Sequence, residues 1–249
     1  MDDVSPLKID RYLGKVRNRL DLIGIELEGG WKHGGFPKGE RFEKDASVFH
    51  DRTKSQRMMV KSLKISHIGE LPSSPMMPVA MAGWMKRCYP HMVDESCGLH
   101  IHMSFHTKKH YSLLMVPEFQ KTIIVYMKDW AIAEKLAESH PIWERLNGAN
   151  EFCNHEFHAD LQVVETKKDY DHFRKGNRYT AVAYRGGKTI ECRVLPMFDT
   201  MEQGVRALKR VMDITNACLV KVAEKLGPEI LEIRDLPLGG IVERDMERI

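Results

Sequence analysis

Apolar positions along this 249-residue chain follow two different periods. Around residues 21–28, 98–105 and 188–195 they alternate with ionisable residues, the period of a strand with one buried face. Over residues 116–139 and 201–226 they recur every three or four positions, the period of an amphipathic helix. The first of these helices has Pro117 near its start, and Phe119, Ile123, Ile124, Met127, Trp130, Ala131, Ala133 and Leu136 can form a buried stripe along it. The second is closed by Gly227-Pro228, a stop signal. Residues 75–89 read as a further helix opened by Pro75, and residues 6–20 as a short basic amphipathic helix. Residues 45–49, 60–70 and 178–184 read as strands. Gly186-Gly187 supplies the positive φ angles of a hairpin turn into the last strand. Residues 29–44 carry Gly29, Gly30, Gly34, Gly35 and Gly39 and read as a loop able to move over a ligand. Residues 140–178 are mixed and loop-like, and the tail from 229 to 249 is weakly patterned.

This order of elements predicts an α+β fold: an antiparallel or mixed sheet with helices on one face. The three alternating strands come early, midway and late in the chain. If they meet, residues 21–226 form the core of a single domain spanning 1–249, with the tail 229–249 unassigned. The sheet face left uncovered by helices would then be the floor of a cleft.

Composition narrows the possibilities. With 43% hydrophobic and 29% charged residues the chain is globular in type. A net charge of +3, with the basic residues dispersed, leaves no footprint for nucleic acid. Five scattered cysteines without a CxxC pair point to a reducing, cytoplasmic setting rather than a disulfide framework. Met1-Asp2-Asp3-Val4-Ser5 lacks the basic and apolar pattern of a signal peptide, so none is expected, and no apolar run approaches a membrane span. The glycines match neither GxGxxG nor GxxxxGK[ST], and His155-Glu156-Phe157-His158 is not HExxH. Those histidines, with His106 and His110, read as surface residues.

The chemistry lies in the alternating strands. Glu26 and Glu28 share one face, as do His100 and His102, and Glu191 and Arg193. The opposite face holds Ile25 and Leu27, then Leu99, Ile101 and Met103, then Ile190, Cys192 and Val194. Cys97 and Cys192 therefore point toward the core as packing residues rather than nucleophiles. A half-exposed antiparallel sheet alternates in the same way without any function. Its solvated face, however, favours Thr, Lys, Ser and Gln over His and carboxylates. Clustered glutamates raise one another's pKa, and a divalent cation removes that conflict. Carboxylates with one imidazole suit Mg²⁺ or Mn²⁺. Arg193 adds a planar fork suited to phosphate.

Glu-x-Glu, Gly-x-His-x-His and Ile-Glu-x-Arg, in this order, resemble the signature of glutamine synthetase-like ligases. The resemblance is nearest to the amidoligase branch beside the glutamate–cysteine ligases. It runs over roughly residues 22–220, through Ile23 to Glu28, Asp45 to Val48, Gly69 to Pro75, Ser96 to His102, Trp143 to Cys153, Asn177 to Tyr179 and Thr189 to Arg193. It implies a curved, mainly antiparallel sheet with helices on its outer face and an active-site funnel on the other. It implies an ATP- and Mg²⁺-dependent carboxylate–amine ligase working through an acyl phosphate. Glu26, Glu28, His100 and Glu191 would hold metal, with Glu70 as a further acidic ligand. His102 and Arg193 would lie near the ATP phosphates, Arg178 would face the transferred phosphate, and Arg145 and Asn147 would contact the carboxylate substrate. Glu70 as a helix cap and Arg145 as a surface ion pair are the bland alternatives. Tyr184 departs from the family, where Asn is frequent, and would mark an unusual substrate or a weakened activity. The acid and amine could be small molecules, peptides or modified nucleobases. The rival functions are a non-catalytic protein binding a nucleotide or acidic ligand on the same fold, and a metal-dependent amide hydrolase.

Overall fold

The computed structural model describes residues 7–13, 20–31, 43–44, 59–65, 77–105, 108–156, 179–185 and 189–226. Six strands are present among them: β1 (Leu20–Trp31), β2 (Glu43–Lys44), β3 (Met59–Ile65), β4 (Gly98–Phe105), β5 (Val182–Arg185) and β6 (Thr189–Pro196). They form one open sheet in the order β2-β3-β1-β4-β6-β5, and every neighbouring pair is antiparallel. The helices are α1 (Met77–Cys88), α2 (Lys108–Leu113), α3 (Pro117–Ala133), α4 (Ile142–Asn147) and α5 (Met201–Leu226). The fold is α+β, and no helix among the described residues is long and apolar enough to cross a membrane.

The alternating pattern works as its period requires. Ile25, Leu27, Leu99, Ile101, Met103, Ile190, Cys192 and Val194 are all buried in one core. They share it with Met81 and Met85 of α1, Phe119, Ile123 and Met127 of α3, and Leu208, Val211 and Leu219 of α5. Cys192 sits at 0% exposure, and burial pushes its thiol up to about 12, so it packs as an apolar side chain. Helix α5 buries Gly204, Ala207, Leu208, Val211, Ile214 and Cys218, an i, i+3, i+4, i+7 stripe.

Several expectations change. Residues 7–13 are not helical: Ile9 is buried, and the backbone N–H groups of Leu7 and Ile9 donate to Thr122 Oγ1 and Tyr126 Oη of α3. Helix α3 stops at Ala133, short of residue 139, because Lys135 takes a left-handed φ of 55°. The Leu136 N–H then closes the end on Ala131 O. No Gly or Asn marks this stop in the sequence. Strand β1 runs on through Gly29 and Gly30, which read as loop. A Cβ on Gly29 would lie 2.5 Å from Pro90 Cβ and 2.9 Å from Met92 O, so glycine permits this close approach. Helix α4 forms within the stretch read as loop and ends at left-handed Gly148 (φ 72°). His110 is buried in α2, and His155 is half-buried with Nε2 2.8 Å from Arg145 O, so neither is a surface histidine. Tyr184 faces the apolar side, meets Tyr111 edge-on at 6.0 Å and donates its hydroxyl to Leu114 O, so it is a packing residue. The expected strand at 45–49, most of the Gly-rich loop, His106 and the tail 229–249 lie outside the described residues.

Candidate metal centre

Strand pairing brings the three dyads together. In the β1–β4 register Glu26 stands opposite His100 and Gly24 opposite His102. In the β4–β6 register His102 stands opposite Glu191. Arg193 and Val194 together oppose His100, a β-bulge on β6. Bulges re-aim side chains, and this one sits at the Glu-x-Arg dyad. All six dyad side chains thus occupy one face of the three central strands.

That face is buried. His100 is 0% exposed, Glu191 2%, Glu28 3%, Glu26 5% and Arg193 6%. The His102 side chain is the most open, at 20%. His100 Nδ1 lies 3.8 Å from Glu26 Oε1, 3.7 Å from Glu28 Oε1 and 3.6 Å from Glu191 Oε1. These separations exceed a hydrogen bond, and both ring nitrogens of His100 lack a hydrogen-bond partner among the described residues. A buried, unpaired polar group costs about 1–3 kcal/mol, so the ring is poorly served by protein alone. Neighbouring ligands on an octahedral ion with bonds of about 2.1 Å stand about 3.0 Å apart, and opposite ones about 4.2 Å. The separations from His100 Nδ1 fall between these limits; Glu26 and Glu28 group with it as ligands of one cation, whereas Glu191 groups with Glu26 and His102.

Two ligand groups are present among the described residues: Glu26, Glu28 and His100, wholly buried, and Glu26, His102 and Glu191, partly open through His102. His102 Nε2 is 3.1 Å from Glu26 Oε2. His102, expected beside phosphate, is therefore grouped here with carboxylates. The Gly98 N–H donates to Glu28 Oε2 at 2.6 Å. A Cβ on Gly98 would lie 2.2 Å from His100 Nε2 and 2.9 Å from Glu28 Oε2. The glycine of Gly-x-His-x-His thus makes the space in which ring and carboxylate lie.

The electrostatics favour a cation. Burial raises the pKa of Glu28, and the Glu26 charge adds to the rise against the opposing effects of His100, Arg193 and Arg145. Burial works against the charge of Arg193, but Glu191, Glu28 and Glu26 outweigh it, and its pKa is raised. Arg193 Nη1 donates to Glu191 Oε1, its Nε donates to Phe152 O at 3.3 Å, and its guanidinium lies over the Tyr179 ring at 5.7 Å. The Phe152 ring in turn meets the Tyr179 ring edge-on at 5.6 Å. Tyr179 lies in the Asn177 to Tyr179 segment of the resemblance, but the sequence assigns neither aromatic a role. Aromatics flanking a cation leave no periodic signal, because the partners come from separate segments. Three carboxylates against one arginine directly paired with them leave the face short of positive charge.

The expected substrate residues are placed elsewhere. Arg145 is 0% exposed, so it is neither a surface ion pair nor open to a substrate in this structure. It donates to Arg193 O at 3.1 Å, Cys97 O at 3.2 Å and Glu95 O at 3.4 Å. Asn147 is exposed. Two residues on, it points about 200° around α4 from Arg145, away from β6. Glu70 and Arg178 lie outside the described residues. No protein-family model matches the chain, and no curated protein or solved structure matches it either.

Proposed function

We propose that this chain is an ATP-dependent carboxylate–amine ligase whose dyad face holds divalent cations against the nucleotide phosphates. One observation carries the reading: His100, buried with both ring nitrogens unpartnered, faces Glu26, Glu28 and Glu191 at 3.6–3.8 Å. A hard-ligand set of this kind suits Mg²⁺ or Mn²⁺. The ordered dyads supply the link to glutamine synthetase-like ligases, with a curved sheet and a funnel over this face.

Glu26, Glu28, His100, His102 and Glu191 would hold the ions. When bound, such ions offset the charge that builds up on transferring phosphoryl oxygens. Arg193 is held rigid by Glu191, Phe152 O and the Tyr179 ring, and so presents preorganised positive charge. The face is nearly closed to solvent, which strengthens each of these interactions. No protein nucleophile is needed, and burial raises the thiol pKa of Cys97, as it does that of Cys192. Arg178 remains the proposed partner of the transferred phosphate.

The test is Mg²⁺-dependent release of ADP and phosphate from ATP in the presence of mixed acids and amines. Glu26→Ala and Glu191→Ala should abolish turnover while circular dichroism shows the fold retained. Full turnover in either variant would remove the metal assignment. ATP binding with no phosphate released against any mixture would favour a binding protein.

A further inference from the structure

Arg145 is an unusual residue to find where it is. Its side chain is fully buried. Among the described residues its hydrogen bonds go to main-chain carbonyls, not to a carboxylate. Its Nε has no partner. Desolvating a guanidinium is costly, and an apolar side chain of similar volume is commonly neutral or stabilising in such a place. Packing alone therefore gives no reason for an arginine.

The carbonyls it binds supply one. Cys97 immediately precedes Gly98, whose N–H holds Glu28. Arg193 O belongs to the bulge of β6, where Arg193 and Val194 share one place in the ladder opposite His100. One guanidinium therefore ties the entry of β4 to the bulge of β6, with Glu28, His100, Glu191 and Arg193 on the residues it fastens. α4, which carries Arg145, is in turn held by Gly148 and by His155 Nε2 at 2.8 Å from Arg145 O. Gln120 Nε2 of α3 donates to His155 O at 2.8 Å, anchoring that histidine to the helical layer.

We propose that Arg145 is a positioning residue for the cation centre: it clamps the β6 bulge to the entry of β4 and so fixes the two strands that carry the ligands. The proposal rests on the cation reading of the dyad face. It moves Arg145 from a substrate contact to the support of the ligands. A guanidinium fork is required for this, because three carbonyls, two in the segment leading into β4 and one on β6, must be reached at once. Lysine keeps the charge but cannot span them.

The experiment is Mn²⁺ titration by calorimetry on the whole chain, wild type against Arg145→Met, Arg145→Lys and Leu146→Ala. All four are compared well below their melting temperatures. Leu146 is fully buried on the same helix and contributes no hydrogen bond to the strands, so its variant reports loss of stability alone. Arg145→Met should weaken Mn²⁺ by at least about tenfold, as loss of a ligand-orienting partner does. Arg145→Lys should recover part of that loss, and Leu146→Ala should stay near wild type. If Arg145→Met is not recovered folded, Arg145→Lys against Leu146→Ala decides by the same comparison. A folded Arg145 variant that binds Mn²⁺ like wild type overturns the proposal, as does an equal loss in Leu146→Ala. A wild-type chain that binds no Mn²⁺ overturns the cation reading itself, a separate and recognisable failure.

Discussion

Gly98→Ala is the sharpest probe of the metal centre, because its effect follows from one distance. Gly98 is not among the residues with left-handed φ, so its backbone conformation admits alanine. Only space objects: the new Cβ would stand 2.2 Å from His100 Nε2 and 2.9 Å from Glu28 Oε2. The ring must turn away, and the carboxylate must loosen its 2.6 Å bond from the Gly98 N–H. Overpacking costs about 1–3 kcal/mol, and weakening a charge-assisted hydrogen bond adds about 1 kcal/mol or more. At about 2–4 °C per kcal/mol for a chain of this size, melting should fall by about 5–15 °C. A cation at a hundredfold excess over its Kd stabilises the native state by about 2.7 kcal/mol. For wild type that is a rise of roughly 5–10 °C on adding Mn²⁺ to EDTA-treated protein. Gly98→Ala should lose most of that rise. Gly204→Ala is the control: the tightest neighbours of its Cβ would be flexible side-chain ends, Met85 Cε at 3.1 Å and Leu99 Cδ2 at 3.2 Å, with a Phe198 ring carbon in ordinary contact at 3.7 Å. Alanine there gains up to about 1 kcal/mol of helix propensity, so melting should change little and the Mn²⁺ rise should persist. The measurement is differential scanning fluorimetry with and without Mn²⁺. A Gly98→Ala protein that keeps the full rise would falsify the placement of His100 among the ligands.

Two further outcomes are expected. Burial raises the folded-state pKa of Glu28 above its ordinary 4.5, so the folded apoprotein holds this proton more tightly than the unfolded chain. Below about pH 4.5 the group costs nothing, and stability is lost as pH climbs through the raised value, by at most about 1.4 kcal/mol per pH unit. In EDTA, Glu28→Gln should therefore gain stability over wild type as pH rises toward neutrality, and the order should reverse when Mn²⁺ is added. Urea unfolding at several pH values checks this, and a difference that stays flat with pH counts against a buried Glu28 charge. Tyr184→Phe removes the bond to Leu114 O on the core side. It should cost about 1 kcal/mol and leave Mn²⁺ binding and ATP turnover unchanged, whereas altered turnover would show that Tyr184 reaches the site.

Much of this architecture is legible in the residue order. Period two named the faces of β1, β4 and β6, because a strand has no other way to place successive side chains. A long three-and-four stripe closed by Gly-Pro named α5 to within its described bounds, Met201–Leu226. The chemistry of the polar face was also local information, since Glu, His and Arg at alternate positions can be read without knowing their neighbours. What sequence leaves open is adjacency. Nothing within Gly98–Phe105 states that Glu26 lies opposite His100 or that His102 lies opposite Glu191. Those pairings join segments some seventy to ninety residues apart, and hydrogen-bond ladders are indifferent to side-chain identity. Arg145 shows the same limit more plainly. On a six-residue helix there is too little length for a period, and a charged residue between Glu144 and Leu146 reads as surface. Only the folded chain brings carbonyls from β4's entry and the β6 bulge around it, and only that enclosure turns a surface-type residue into a buried clamp. Local sequence determined which side chains face together; tertiary packing decided which strands stand side by side and so what those side chains can hold.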